Sequence, residues 1–292
     1  MNDRTSEPLD KPGGATPEST RAHMTKLSGR GYAQLRHILV QLPDQGKPRA
    51  STLARMVSGR RHRELLLYLL VLTCWPWLQE RRTPLPAGVW IRALTASGGP
   101  TWSETTLSRC WKRLEDLGLI EQRERVDRLV RVTPRREDAG EPYSFPGGRD
   151  DRWHTYFALP DEFWNKGVFA ELSLPGLAVF LVVASETNGK QDCWFTYDRM
   201  DDWYGLKART VQNGVKQLQD LGLLMVREEP IEAPLSATGM TTRMHYSLTG
   251  TFSYSARSKL QKTAQQETKA RAKKKTSKVR MSPDPKKTRK KK

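Results

Sequence analysis

The sequence predicts a mainly α-helical protein with small β-hairpins, built from two copies of one unit. An internal repeat is the strongest evidence: residues 106–124 (TLSRCWKRLEDLGLIEQRE) and 210–228 (TVQNGVKQLQDLGLLMVRE) are identical at nine of nineteen positions, without a gap. Such self-similarity indicates a duplicated structural unit. In addition, both copies place apolar residues at helical spacing and then a glycine, which predicts the same helix and the same helix end twice.

Each copy is expected to run from an amphipathic helix into a hairpin. Gly118 and Gly222 stand where a helix closes with a left-handed residue. After the first glycine, residues 119–123 predict a strand, and residues 129–132 can fold back on it. In the second copy we expect the returning strand at 244–248. The apolar helix faces are Leu107, Cys110, Trp111, Leu114 and Leu117 in the first copy, and Val211, Gly214, Val215, Leu218 and Leu221 in the second.

A recognition helix that passes through a leucine–glycine–leucine step into a wing is typical of winged helix-turn-helix proteins. Residues 106–124 resemble the recognition helix and first wing strand of MarR-type regulators and plasmid RepA-type replication initiators. Residues 156–160 (YFALP), followed by 172–175 (LSLP) and an apolar helix, are similar to the opening of the initiator type, and the first copy lacks such an opening. The resemblance implies two tandem winged helix-turn-helix domains with disordered termini.

Composition divides the chain into five segments. We expect a disordered leader at 1–30, winged-helix domain 1 at 31–135, a linker at 136–152, winged-helix domain 2 at 153–255 and a basic disordered tail at 256–292. The loop of the second wing, at 230–241, is expected to be only partly ordered.

The sequence also favours a cytoplasmic protein that does not span a membrane. The apolar runs at 65–78 and 172–184 are shorter than the roughly 20 residues that cross a bilayer, so we interpret them as core helices. Cys74, Cys110 and Cys193 are far apart in apolar surroundings, which predicts neither disulfides nor a metal site.

Charge separates the two units. The chain has 50 Lys and Arg against 32 Asp and Glu, a net charge of +18. Domain 1 has 18 basic against 9 acidic residues, domain 2 has 8 against 12, and the tail has 16 against 2. A basic tail can hold polyanions through counterion release but carries no sequence information. Domain 1 and the tail are therefore expected to supply most of the affinity for double-stranded DNA.

The polar face of the first repeated helix and its wing predict the main DNA contacts. An arginine near the start of such a helix can donate two hydrogen bonds to guanine, whereas a lysine further along typically meets the backbone. Arg109 is therefore the predicted base reader. The predicted DNA-binding residues are Thr105, Ser108, Arg109, Lys112 and Arg113 in the helix, and Arg123, Arg125, Arg128 and Arg131 in the wing.

The second helix offers an equivalent but weaker face. Its amides suit adenine, which displays one donor and one acceptor. Nearby carboxylates, three in the preceding helix and three in the wing, would lower the affinity for phosphate. The second unit could therefore read DNA weakly or contact another protein, including a second copy of the chain. Its candidate residues are Lys207, Arg209, Gln212, Asn213 and Lys216, and the opposing acids are Asp198, Asp201, Asp202, Glu228, Glu229 and Glu232.

The inventory of reactive side chains predicts no enzyme. The five histidines form no pair at metal-ligand spacing, and no phosphate-binding Gly-Lys-Ser or Gly-Lys-Thr loop occurs. We expect no cofactor and no metal. Three functions remain open: a sequence-specific transcriptional regulator, a replication initiator of a plasmid or integrative element, and a protein-interaction adaptor whose tail binds nucleic acid nonspecifically.

Overall fold

The computed structural model describes residues 14–43, 49–147 and 151–280, and its fold combines helices with small antiparallel sheets. The helices are α1 (Pro17–Ser28), α2 (Thr52–Ser58), α3 (His62–Leu78), α4 (Ala87–Leu94), α5 (Glu104–Asp116), α6 (Glu162–Asn165), α7 (Val168–Glu171), α8 (Leu174–Glu186), α9 (Tyr197–Tyr204), α10 (Ala208–Asp220) and α11 (Tyr254–Arg280). The strands are β1 (Tyr32–Arg36), β2 (Glu124–Val126), β3 (Leu129–Arg131), β4 (Tyr156–Pro160), β5 (Cys193–Trp194), β6 (Leu224–Glu232) and β7 (Met240–Leu248).

The two repeated segments fold in the same order of elements. In the first unit α5 packs on α3 and α4 and leads to the hairpin β2–β3. In the second unit α10 packs on α8 and α9 and leads to the hairpin β6–β7, which β5 extends to three strands. Gly118 and Gly222 have φ of +71° and +66°. Both glycines thus have the left-handed conformation that the sequence predicted at the helix ends.

A two-stranded sheet joins the units. β1 and β4 pair antiparallel, and the central partners are Gln34 and Ala158. β1 reads YAQLR and β4 reads YFALP, so tyrosine and leucine occupy the same places in both strands. β1 thus precedes the helices of the first unit as β4 precedes those of the second, and the two strands share two of five residues. The similarity is short, and the following residues differ, which hid it in the sequence.

The pairing of β1 with β4 is symmetric. Each tyrosine at the start of one strand faces the last residue of the other: Tyr32 faces Pro160, and Tyr156 faces Arg36. Beyond the strands, the His37 N–H donates to the Thr155 carbonyl at 3.2 Å, and the Asp161 N–H donates to the Gly31 carbonyl at 3.0 Å. Each of these hydrogen bonds joins the residue after one strand to the residue before the other strand. The strand pair therefore has a local two-fold axis near Gln34 and Ala158.

One hydrophobic cluster runs through both units, and α3 and α8 are its centre. Residues 64–74 of α3 and 176–185 of α8 are buried on every side, which explains why their sequences are apolar without helical alternation. The cluster includes α5, α10, β1 and β4. The apolar runs are core helices, as predicted.

The leader is not disordered throughout: residues 17–28 form α1, which corrects the expectation for 1–30. Thr16 caps the helix by accepting from the Ser19 N–H at 3.1 Å. Arg21 is buried and donates to the carbonyls of Ala93 and Thr95 at the end of α4, at 3.2 and 2.7 Å. Tertiary contacts thus order a polar sequence that has no helical pattern of its own. Residues 1–13 lie outside the described residues.

The tail also begins as structure, because α11 runs from Tyr254 to Arg280. This finding corrects the expectation of disorder from residue 256. Arg257 is 2% exposed and donates to the carbonyl of Ala184 at 2.7 Å and to the hydroxyl of Thr187 at 2.7 Å. A cation at the C-terminal end of α8 is favourable there, since the last carbonyls of a helix lack partners. Residues 281–292 lie outside the described residues.

A buried ion pair fixes the segment that was predicted as the linker. The side chains of Arg36 and Glu137 are both 0% exposed, and Arg36 Nη1 lies 2.8 Å from Glu137 Oε2. Arg36 Nη2 also donates to the Ser144 carbonyl at 2.6 Å. Burial raises the pKa of Glu137, while Arg36 acts to lower it. Residues 136–147 therefore pack against β1 and do not form a free linker between the two units.

Candidate nucleic-acid interface

α5 buries one face and exposes the other, because its apolar residues recur at helical spacing. Ser103 caps its start by accepting from the Thr106 N–H at 3.2 Å. Leu107, Cys110, Trp111 and Leu114 are buried. The opposite face is exposed and carries every residue predicted to bind DNA from this helix: Thr105, Ser108, Arg109, Lys112 and Arg113.

Intramolecular partners engage the helix residues to different degrees. Lys112 lies 3.0 Å from Asp116, an exposed pair one turn apart that is worth little in water. Arg113 lies 2.7 Å from Glu64, whose carboxylate is 3% exposed. Arg109 has no ion pair among the residues that the structure describes, and its charge is available to a ligand.

The first hairpin begins later than predicted. Residues 119–123 do not form the expected strand: Ile120 makes a single bridge to Pro134, and pairing starts at Glu124. Glu115 explains the delay, since it accepts from both the backbone N–H and the Nε of Arg123 at 2.8 Å. The hydrogen bonds from Arg123 hold the pKa of Glu115 below its usual range.

The four wing arginines therefore differ in availability. Arg123 is committed to Glu115, and Arg131 donates to the carbonyls of Arg81 and Arg82. Arg125 and Arg128 are exposed near the tip of the hairpin. These two side chains are best placed to reach phosphate.

α10 repeats this arrangement with a closer helix contact. A Cβ on Gly214 would lie 2.5 Å from the Pro175 carbonyl oxygen and 2.6 Å from a methyl group of Val179, so only glycine fits. Val211, Val215 and Leu218 are buried beside it. The residues predicted to bind DNA from this unit are all exposed: Lys207, Arg209, Gln212, Asn213 and Lys216.

Two of these cations already have partners. Lys207 Nζ lies 2.6 Å from Asp201, and Arg209 donates to Gln212 at 3.3 Å. Thr196 caps α9 by accepting from the Arg199 N–H at 3.4 Å, as the sequence predicted. α9 ends at Gly205, which has φ of +64°.

The second hairpin is longer than predicted. β6 and β7 pair from Leu224 with Leu248 to Glu232 with Met240, so residues 230–232 and 240–241 of the expected loop belong to strands, and residues 233–239 form the turn. Pro230 fits within β6 because β6 is an edge strand, and its missing N–H needs no partner.

Carboxylates of the second hairpin are engaged by cations and a histidine. His245 lies between Asp192 and Glu229, at 3.1 and 2.6 Å. Arg227 lies 3.3 Å from Asp192. The hydrogen bond from His245 lowers the pKa of Glu229. Burial acts to raise the pKa of Asp192, but hydrogen bonds from His245 and Arg227 together bring it below its usual value. Asp192 and Glu229 are therefore both engaged by partners within this unit.

A third group of cations lies beside α5, and the sequence did not predict it. Arg60 and Arg61 lie in the turn between α2 and α3, and Arg63 lies in the first turn of α3. The sequence signal was the run RRHR at 60–63, which we did not connect with α5 because 45 residues separate them from Ser108.

These exposed helix faces can be compared with known families. Residues 170–224 match the family model of a helix-turn-helix domain. The match starts in α7, contains α8, α9 and α10, and ends at the start of β6. Domains of this kind bind DNA by placing their second helix in the major groove. The chain thus contains a helix-turn-helix domain, which suggests DNA binding, and α10 is the last helix within the matched residues.

The other comparisons add no relative. Neither the curated proteins nor the solved structures that were searched give a match. Within the described residues, no helix is long and apolar enough to cross a membrane, and no group of three or more His, Cys, Asp or Glu side chains could hold a metal ion.

Proposed function

We propose that the chain is a sequence-specific DNA-binding protein with two winged helix-turn-helix modules, and that it regulates transcription by occupying its site. The helix-turn-helix match at 170–224 carries the proposal, because the second helix of such a domain enters the major groove and α10 is our candidate for that helix. α5 supports a second module. Like α10, it packs on two helices of its own unit, ends at a left-handed glycine and is followed by a hairpin. No chemistry and no cofactor are required for this function.

β1 of the first module pairs antiparallel with β4 of the second, as strands related by a two-fold axis do. If the local two-fold axis extends to the units, one chain presents α5 and α10 in opposite orientations, as the two recognition helices of a dimer do. The two helices differ in their exposed residues, so the two half-sites would differ in sequence. A second protomer is then not required to fill the site.

The charges of the modules suggest a division of labour. The exposed face of α5 and its wing carry Arg109, Arg125 and Arg128, which favour phosphate and guanine. The exposed face of α10 carries Gln212 and Asn213, which suit adenine. Module 1 would supply most of the affinity, and module 2 would add base preference.

Replication initiation on a plasmid or integrative element is the second candidate. Residues 156–160, which resemble the opening of the initiator type, form β4, and β4 pairs with β1 of the first unit. The two functions share the same contacts with DNA. The location of the bound sites separates them, since an initiator occupies repeated sites at an origin and a regulator occupies a promoter.

Selection of bound sequences from random double-stranded DNA by the full chain tests the proposal. We expect an enriched motif, and Arg109→Ala should weaken binding to that motif by about 1–3 kcal/mol if Arg109 reads a base. Lys166→Ala, at an exposed cation after α6, serves as the control and should leave the motif and the affinity unchanged. The absence of any enriched motif would overturn sequence-specific binding and favour the interaction adaptor.

A further inference from the structure

The first turn of α3 is held against α5 at two points. We call residues 60–63 the basic turn; they comprise the end of the connection after α2 and the first two residues of α3. Arg63 Nε donates to the carbonyl of Thr101, just before α5, at 3.2 Å. Glu64, the next residue, accepts from Arg113 in the last turns of α5 at 2.7 Å. The basic turn therefore has a fixed position beside the exposed face of α5.

The positive charges at this place exceed the negative charges. Arg109 and Arg113 are one turn apart on the exposed side of α5, and Arg63 is held to Thr101 just before this helix. Glu64 pairs with Arg113. Arg60, Arg61 and Arg63 form no ion pair within the described part of the chain. Like charges collected without counter-charges repel one another and create a site for a polyanion.

The backbone of the turn also suggests a role for Arg60. Arg60 has φ of +53°, a left-handed conformation that favours glycine. Its N–H donates to the Val57 carbonyl at 3.1 Å, and the Arg61 N–H donates to the Met56 carbonyl at 2.8 Å. This is the Schellman end of α2, in which the left-handed position is usually glycine. An arginine there keeps an exposed cation despite backbone strain.

The basic turn and the β2–β3 hairpin flank α5 on different sides. Ser108 lines the cleft between α5 and the hairpin, together with Arg128. An α-helix turns by about 100° per residue, so Ser108 and Arg113 point in directions about 140° apart. Arg109 and Lys112 lie between these two directions. The exposed face of α5 is thus bordered by cations on both sides.

The second module has no equivalent. Gln217 replaces Arg113 in the repeat, and its Oε1 accepts from the Ser173 hydroxyl at 2.6 Å. Gln217 Nε2 donates to the Glu171 carbonyl at 2.9 Å. The corresponding turn, residues 171–174, reads ELSL and contains no cation.

We propose that the basic turn binds the phosphate backbone of double-stranded DNA next to the groove that α5 enters. This inference rests on the proposed function, because it requires α5 to dock in a major groove. The hairpin tip then contacts phosphates on one side of the groove, and Arg60, Arg61 and Arg63 contact phosphates on the other side. These contacts add affinity without base preference.

The triple variant Arg60→Gln, Arg61→Gln, Arg63→Gln tests the proposal in the full chain. Each phosphate contact contributes about 0.9 to the slope of log K against log salt concentration. The slope should therefore become shallower by about 2 to 3, and the selected motif should stay the same. The control variant Lys26→Gln, Lys166→Gln, Lys190→Gln removes three exposed charges elsewhere and should keep the slope.

The single variant Arg60→Gly removes one cation without destabilising the fold, so it controls for a folding defect in the triple variant. Glycine suits the left-handed position, so this variant should keep its thermal unfolding temperature while its slope falls by about 0.9. A triple variant that is folded, binds the motif and keeps the wild-type slope would overturn the role of the basic turn alone. If the wild-type chain itself shows no motif and no salt-dependent binding, the proposed function fails and this inference fails with it.

Discussion

Replacement of Arg36 by methionine should destabilise the folded protein by about 3–5 kcal/mol. Arg36 and Glu137 are fully buried, and breaking a buried pair by removing one partner leaves an uncompensated charge. The substitution removes the ion pair at 2.8 Å and the hydrogen bond to Ser144 at 2.6 Å. Hydrogen bonds to charged groups contribute about 1.5–3 kcal/mol each, so two losses give about 3–6 kcal/mol, which overlaps this range.

Urea unfolding of the wild type and the Arg36→Met variant measures this free energy. The double variant Arg36→Met, Glu137→Gln is the control. In the wild type the backbone N–H of residue 36 donates to Glu137 at 3.1 Å, and the neutral amide of glutamine can still accept this hydrogen bond. We expect the double variant to recover at least about half of the loss. A loss below about 1 kcal/mol in the single variant would show that Arg36 does not compensate a buried charge on Glu137.

The pH dependence of the single variant follows from the same burial. Burial raises the pKa of Glu137, so the folded state favours the protonated carboxyl. An acid with a raised pKa in the folded state loses stability as the pH rises above its unfolded pKa. Without Arg36, the free energy of unfolding should fall more steeply with rising pH than it does in the wild type. Urea unfolding of both proteins at pH 5 and pH 8 measures this difference.

Three further substitutions test the packing and the caps. Gly214→Ala should cost about 1–3 kcal/mol, because the new Cβ would lie 2.5 Å from the Pro175 oxygen and push α10 from α8; unchanged urea unfolding would contradict the close contact. Asp161→Asn should stabilise the protein more at pH 8 than at pH 5, because burial raises the pKa of Asp161 to about 7 and its ionisation in the folded state is unfavourable; an equal effect at both pH values would refute this. Arg257→Ala should destabilise by roughly 2–3 kcal/mol and release α11 from the end of α8, seen as faster backbone hydrogen exchange after residue 254; exchange as slow as in the wild type would argue against the cap.

The sequence predicted the parts of the fold that depend on local pattern. The helices α5 and α10, their glycine ends and the Thr196 cap follow from spacing and residue type within about twenty residues. The apolar runs correctly predicted the central helices. These signals are local because helix periodicity and caps are set by neighbours in the chain.

The parts that were missed depend on residues far apart in the sequence. β1 and β4 pair across 124 positions, and no local pattern links Tyr32 with Tyr156. α1 is ordered because Arg21 reaches the end of α4, although its own composition resembles a disordered leader. The basic turn lies beside α5 only after folding. Tertiary contacts decide each of these features, so sequence patterns alone did not predict them.

The base preferences of two variants test whether α5 and α10 both read DNA. Binding of the full chain to every single-base change of its selected motif is measured for Arg109→Ala, in α5, and for Asn213→Ala, in α10. We expect each variant to lose discrimination at its own group of base pairs, and the two groups to lie about 10 base pairs or a multiple apart. Loss at the same base pairs in both variants, or loss at none, would contradict two DNA-reading helices in one chain.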